Sequence, residues 1–176
     1  MSTYKKTLFT VIFTALMTAL EIVLSRFLSV SLWNLKIGFS FLPVLITAAV
    51  LGPLCAAAVA GLGDFLGAVL FPIGPYFPGF TLSAALIGLI FGFAFKNEIT
   101  VFKTTVSVIS TELIFTLLIN SLWISVLYGA PYQGLLITRL PQAAIMAAVK
   151  LPAVLLIIKP LSAQIRKTVL KPQNIK

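Results

Sequence analysis

The chain is 176 residues long, 60% hydrophobic, only 10% charged, and carries a net charge of +9. Soluble domains are ordinarily near a quarter charged, so this composition, with a mean hydropathy of +1.11, excludes one and describes an integral membrane protein. With no histidine and one cysteine, Cys55, an internal disulfide is excluded and a zinc or haem site has little to be built from.

The apolar runs predict six spans, at residues 8–30, 39–50, 54–70, 82–95, 101–128 and 140–161. The expected fold is therefore all-α: six transmembrane helices in one compact bundle over residues 1–176, with tails at about 1–7 and 162–176. No stretch is polar enough for a separate soluble domain, and no phosphate-cradling Gly-rich loop ending in Gly-Lys-Ser/Thr occurs.

Lys5 and Lys6 before the first run resemble a signal peptide, but Glu21, Ser25 and Arg26 interrupt the run and no small-residue cleavage site follows. The same span carries Ala15-x-x-x-Ala19, flanked by Thr14 and Thr18. Such a stripe docks a helix of this chain or of another protein. Spans two and four fall short of the ~20 residues that cross a bilayer upright, so neighbouring helices must complete their depth. Leu51-Gly-Pro-Leu54 is a tight turn into span three. There Cys55 sits among small residues, as a packing residue does, and Gly61-x-Gly63-Asp64-x-x-Gly67 draws a helix close enough to bring Asp64 against a neighbour or a ligand.

Between spans three and four lies residues 71–81, Phe71-Pro-Ile-Gly-Pro-Tyr-Phe-Pro-Gly-Phe-Thr81. Pro72, Pro75 and Pro78 fix φ and lack donors, while Gly74 and Gly79 reach angles other residues avoid. The segment predicts a shaped loop, suited to cover a small molecule on a hydrophobic bundle.

Orientation follows from the basic residues. Lys5, Lys6, Lys96, Lys103, Lys159, Arg166, Lys167, Lys171 and Lys176 share one side; Arg26, Lys36 and Arg139 lie on the other. Both termini are expected in the cytoplasm, with residues 30–38, 71–81 and 129–138 facing outward. The positive charge is then a topology signal and does not imply nucleic acid.

Ionisable groups inside a membrane are costly and need a reason. At a rise of 1.5 Å per residue, Arg26 lies ~6 Å, Asp64 ~9 Å, Asn120 ~12 Å and Glu21 ~14 Å below the outer helix ends. Arg139 is expected to top the sixth span. One reading is a set of interhelical bonds, such as Glu21 with Arg26 or Arg139; the other is a cavity open to the outside. Lys150 and Glu112 fall deeper and suit a structural ion pair between spans five and six. The aromatics also gather outward. Trp33 and Tyr132 fit an interfacial belt, whereas Tyr76, Phe77, Phe80 and Trp123 suit stacking on a flat ligand.

Three segments carry a family resemblance: Leu24-Ser-Arg-Phe-Leu28, Gly63-Asp64-x-x-Gly67, and the long run Pro72-x-Gly-Pro-Tyr-Phe-Pro-Gly-Phe-Thr-Leu-Ser-Ala-Ala-Leu86-x-Gly88. Asn120-x-x-Trp123 and Leu127-Tyr-Gly129 fit as well, while Lys150 and Pro152 do not. Through them the chain resembles the substrate-binding (S) subunits of energy-coupling factor (ECF) transporters, in their folate-specific branch.

That resemblance implies a bacterial plasma-membrane protein that captures folate from outside and delivers it inward. It implies three partners, a transmembrane coupling protein and two ABC-type ATPases, with Ala15 and Ala19 on the docking stripe. No catalytic activity and no cofactor are expected of this chain, ATP being used by the partners. Folate has a flat pterin with a donor edge, an aromatic middle and a dianionic tail. The rings suit Trp123, Tyr76, Phe77 and Phe80, with Thr81 beside them; the pterin edge suits Asp64 and Asn120; the tail suits Arg26, Lys36 and Arg139. The loop with Pro72, Gly74, Pro75, Pro78 and Gly79 is expected to gate the site together with residues 30–38. A sibling subunit for another heterocyclic vitamin is the alternative. A secondary carrier would show internal repeats, and an intramembrane enzyme a nucleophile–base pair; neither is evident.

Overall fold

The computed structural model describes residues 3–31, 34–165 and 167. Trp33, Arg166, Lys171 and Lys176 lie outside them. Six helices follow in order: α1 Thr3–Arg26, α2 Phe41–Leu51, α3 Pro53–Leu70, α4 Pro78–Ala94, α5 Val101–Tyr128 and α6 Tyr132–Ile165. Among the described residues α1 (from Lys6), α3, α5 and α6 are long and apolar enough to cross a membrane, while α2 and α4 are shorter apolar helices.

The structure corrects three expected boundaries. The first helix stops at Arg26, and the outer connection contains an antiparallel hairpin, β1 Ser29–Ser31 with β2 Lys36–Gly38. Strands of three residues are too short to show an alternating pattern. A Cβ on Gly38 would meet the Ser29 Cβ at 2.6 Å, so the strands close only around glycine. The loop after α3 ends at Phe77, because Pro78 opens α4 at the first helical position, where its missing donor costs nothing. The sixth helix begins at Tyr132 rather than at residue 140, with Pro141 and Pro152 inside it. Prolines that end helices in water are tolerated where neighbours re-satisfy the freed backbone groups. Past Pro152 a π-helical turn at Val154–Ile158 absorbs the mismatch. Helix α5 carries a longer π-helical stretch, Thr111–Ile119.

The tight turn between α2 and α3 appears as expected, with Gly52 at φ 89° and Pro53 at the start of α3. Helix α3 packs most extensively on α4. Added Cβ atoms on Gly88 and Gly92 would run into the backbone of Ala56 and Pro53, so these glycines set the helix spacing. An apolar core of Leu45, Ala48, Phe91, Phe95, Val108, Val154 and Ile158 fills one end of the bundle, between α2, α4, α5 and α6. The outer surface is apolar too: Val11, Leu16, Val126, Ile137 and Leu156 are exposed. In water such a surface would associate; in lipid it needs no partner. Cys55 is a free, half-buried thiol, in keeping with packing.

Candidate functional site

The core does not fill the other end of the bundle. A cavity of about 620 Å³ lies there, lined from all six helices, from β2 and from the loop after α3. It has two polar walls.

Helices α1 and α3 with the hairpin make the first wall. Glu21 and Arg26 project from α1 where α3 has no side chains. A Cβ on Gly63 would collide with the Glu21 carboxylate, and one on Gly67 would meet Arg26 Nε at 2.8 Å. The expected glycine stripe is present, but it makes room for charged side chains of α1 rather than for backbone alone. Arg26 donates to the Asp64 carbonyl at 3.3 Å, and Thr81 donates to Asp64 Oδ2 at 2.7 Å. Tyr76 is within 3.2 Å of Thr81 Oγ1. Lys36 reaches across from β2 to donate to Ser25 Oγ at 2.6 Å. Its ammonium is held below the usual lysine range, first by burial and next by the Arg26 charge, against the opposing pull of Glu21 and Asp64.

Helices α5 and α6 make the second wall. Glu112, Thr116 and Asn120 line the cavity from α5; Arg139, Gln142 and Lys150 line it from α6. Lys150 Nζ bonds Glu112 Oε1 at 2.5 Å and lies 5.4 Å from the centroid of the Phe41 ring. The expected pair between spans five and six is therefore formed, and both members also face the cavity. Glu21 pairs with neither Arg26 nor Arg139. Arg139 donates to the Thr116 carbonyl at 3.0 Å, within the π-helical stretch. Because α6 starts at Tyr132, Arg139 sits about two turns inside the helix rather than at its top. Gln142 donates to the Lys36 carbonyl at 2.7 Å and ties this wall to the hairpin.

The loop and the first turn of α4 supply rings. Tyr76, Phe77 and Phe80 line the cavity, with Gly74 and Pro75 beside them. Pro78 and Gly79 belong to the first turn of α4, and Pro72 is not part of the lining. Trp123 is not in the lining either. It stands behind Phe77 with ring centroids 5.4 Å apart, and its indole donates to Ser83 Oγ at 3.0 Å. A Cβ on Gly79 would meet both rings below 3 Å. Thr81 likewise acts on the cavity through Asp64 and Tyr76. Glu112, Gln142 and Lys150 were absent from the expected ligand set. The i, i+4, i+8 spacing of Glu112, Thr116 and Asn120 was the available signal, but the π-helical stretch shifts which residues share a face. Ala15 and Ala19 are not in the cavity lining and lie on the exposed face of α1 with Leu16 and Leu20.

Comparisons with known proteins agree on one group. Residues 9–158 match the family described as "ECF transporter, substrate-specific component". A folate transporter FolT from Clostridium novyi (strain NT) is 40% identical over 136 residues, 77% of this chain and 79% of that protein. A second FolT, from Leuconostoc mesenteroides, is 34% identical over 121 residues, 68% of this chain and 65% of its own length. A crystal structure of FolT bound with folic acid superposes with a TM-score of 0.81 at 28% identity, covering 86% of this chain and 95% of that one.

Proposed function

Because the chain belongs to the substrate-specific components of ECF transporters, we propose that it is the folate-capturing subunit of such an importer. The observation that carries this reading is the cavity. It presents the rings of Tyr76, Phe77 and Phe80 together with the cations Arg26, Lys36 and Arg139. Folate needs both kinds of contact: aromatic faces for its fused ring and aminobenzoyl group, and guanidinium or ammonium for its two carboxylates. Asp64 and Asn120 add acceptors on either wall, and Thr81 and Trp123 stiffen the groups around them.

The chain is the binding component of a transporter, not an enzyme, and in this scheme it needs no cofactor. It sits in the bacterial cell membrane with both termini in the cytoplasm and the cavity end outward, as the distribution of Lys and Arg supports. ATP is hydrolysed by two ABC-type ATPases, reached through a transmembrane coupling protein. The exposed Ala15 and Ala19 support docking of that protein on α1, since small residues let helices approach closely. The hairpin and the loop after α3 form the gate: both touch the cavity, and Lys36 and Gln142 latch the hairpin to the two walls.

Calorimetry of folic acid binding to the purified chain in detergent, with thiamine and riboflavin as controls, tests this reading. Stoichiometric binding of folic acid alone is expected. Binding of a control vitamin in its place would make the chain a sibling subunit. For docking, Ala15→Trp and Ala19→Trp are expected to keep folate binding and to block uptake in cells; loss of both activities would mean that the stripe packs within the chain.

A further inference from the structure

The α5–α6 wall holds more polar capacity than it uses. Glu112 is only 2% exposed, and its Oε2 has no hydrogen-bond partner. Asn120 Oδ1 and Gln142 Oε1 are also buried without a partner, as is the donor Arg139 Nε. All four residues line the cavity. Buried polar atoms are nearly always paired, so unpaired ones that share a cavity call for a partner that enters it. Three of these four atoms are acceptors, so the missing partner is rich in donors.

The Lys150 contact does not account for this. It occupies Oε1, leaves Oε2 open, and offsets the charge that Glu112 would otherwise bury alone. Glu21 and Asp64 are the other carboxylates lining the cavity; Glu21 also has an unpaired Oε2 but stands over Gly63 on the α1–α3 wall, and Asp64 already accepts from Thr81 and lies beside Arg26. Glu112 is thus the carboxylate whose unpaired oxygen shares its wall with two further unpaired acceptors, Asn120 Oδ1 and Gln142 Oε1.

Resting on the folate reading above, we propose that Glu112, rather than Asp64, reads the donor edge of the pterin. The 2-amino group and N3–H of that ring point the same way, side by side. A carboxylate offers two oxygens at matching separation, Oε2 free and Oε1 with a lone pair to spare beside Lys150. Lys150 is a positioning residue: it fixes the carboxylate plane. The pterin therefore enters first and lies against α5 and α6, and the anionic tail is left toward Arg26 and Lys36.

The test is a cycle between ligand and protein. Affinities are measured by calorimetry for folic acid and for its 2-desamino-2-methyl analogue, in which a methyl of similar size replaces the amino donor. The proteins are the wild type, Glu112→Gln, and Glu112→Gln with Lys150→Met, which removes both charges together. The wild type is expected to prefer folic acid on the order of 100-fold, because the analogue leaves a buried carboxylate oxygen unpaired. In both variants the preference should fall below roughly 10-fold, since an amide offers that edge one acceptor and one misplaced donor. A purely structural role would weaken both ligands by one factor and leave the preference intact, which overturns the proposal. A wild type that binds both ligands equally also overturns it. A wild type that binds neither overturns the folate reading itself.

Discussion

The two polar walls of the cavity carry similar groups on unlike scaffolds. On the α1–α3 side, charged residues of α1 lie over Gly63 and Gly67, and the contacts run to the hairpin and to Thr81 at the head of α4. Each of those contacts joins a helix to a connection or to a helix end. On the α5–α6 side the bonds Glu112–Lys150 and Arg139–Thr116 join two long helices along their length. Both helices depart there from regular α geometry, at Thr111–Ile119 in one and past Pro152 in the other. The first wall is thus held in large part through connections, the second chiefly through helix-to-helix bonds, with Gln142 alone reaching the hairpin. On the proposed function, a site that must open and still discriminate would gain from this division, with access at the wall built on connections and fixed geometry at the other.

Several substitutions would break or sharpen the contrast. The largest effect is expected at Arg26, whose guanidinium is the cation of the α1–α3 wall best shaped for a carboxylate. Arg26→Ala should weaken folate binding by about 100-fold, the scale of a lost charge-assisted hydrogen bond; an unchanged affinity in calorimetry would take the tail away from this wall. Gly63→Ala comes next. Its Cβ must displace the Glu21 carboxylate, so about 1–3 kcal/mol of stability should be lost, seen as a lower unfolding temperature in detergent together with weaker binding. Gly92→Ala, which meets Pro53 and no residue of the cavity lining, should lower the unfolding temperature and leave the affinity of the folded fraction unchanged.

A smaller effect concerns pH. Lys36 is held below the usual lysine range in the free protein, and an anionic tail beside it would raise it again, so binding takes up a proton. Affinity should be full below the depressed value and fall as pH rises from it toward the bound value. Lys36→Arg should flatten that profile, because guanidinium stays charged throughout; an identical slope in the variant would exclude Lys36 from the linkage. The smallest effect is expected of Trp123→Phe, which keeps the ring behind Phe77 and removes only the bond to Ser83. A loss of about fivefold or less fits a supporting group; a loss on the scale of Arg26→Ala would mean the indole touches the ligand.

Much of the cavity was legible in the chain, for a simple reason. A charged or amide side chain in an apolar run has no place in lipid, so Glu21, Arg26, Asp64, Glu112, Asn120, Arg139 and Lys150 mark themselves. Their partners did not follow from the same rule. Depth along a helix is set by residue number, but facing depends on the turn, and π-helical turns and internal prolines shift it. Arg139 lies deeper than expected because the apolar run from residue 140 marks only part of a helix that begins at Tyr132. Trp123 was read as a stacking face because it shares a helix with Asn120, yet it points toward Ser83.

Sequence alone determined the class, the number of helices, the polar inventory and the family of this protein, since composition, apolar length and a distinctive loop motif are local properties. Only the tertiary structure decided which polar groups meet. The hydrogen bonds of Lys36 to Ser25 and of Arg139 to the Thr116 carbonyl, and the three-residue strands of the hairpin, all arise from contacts between separate segments of the chain, and no periodicity within one segment encodes them.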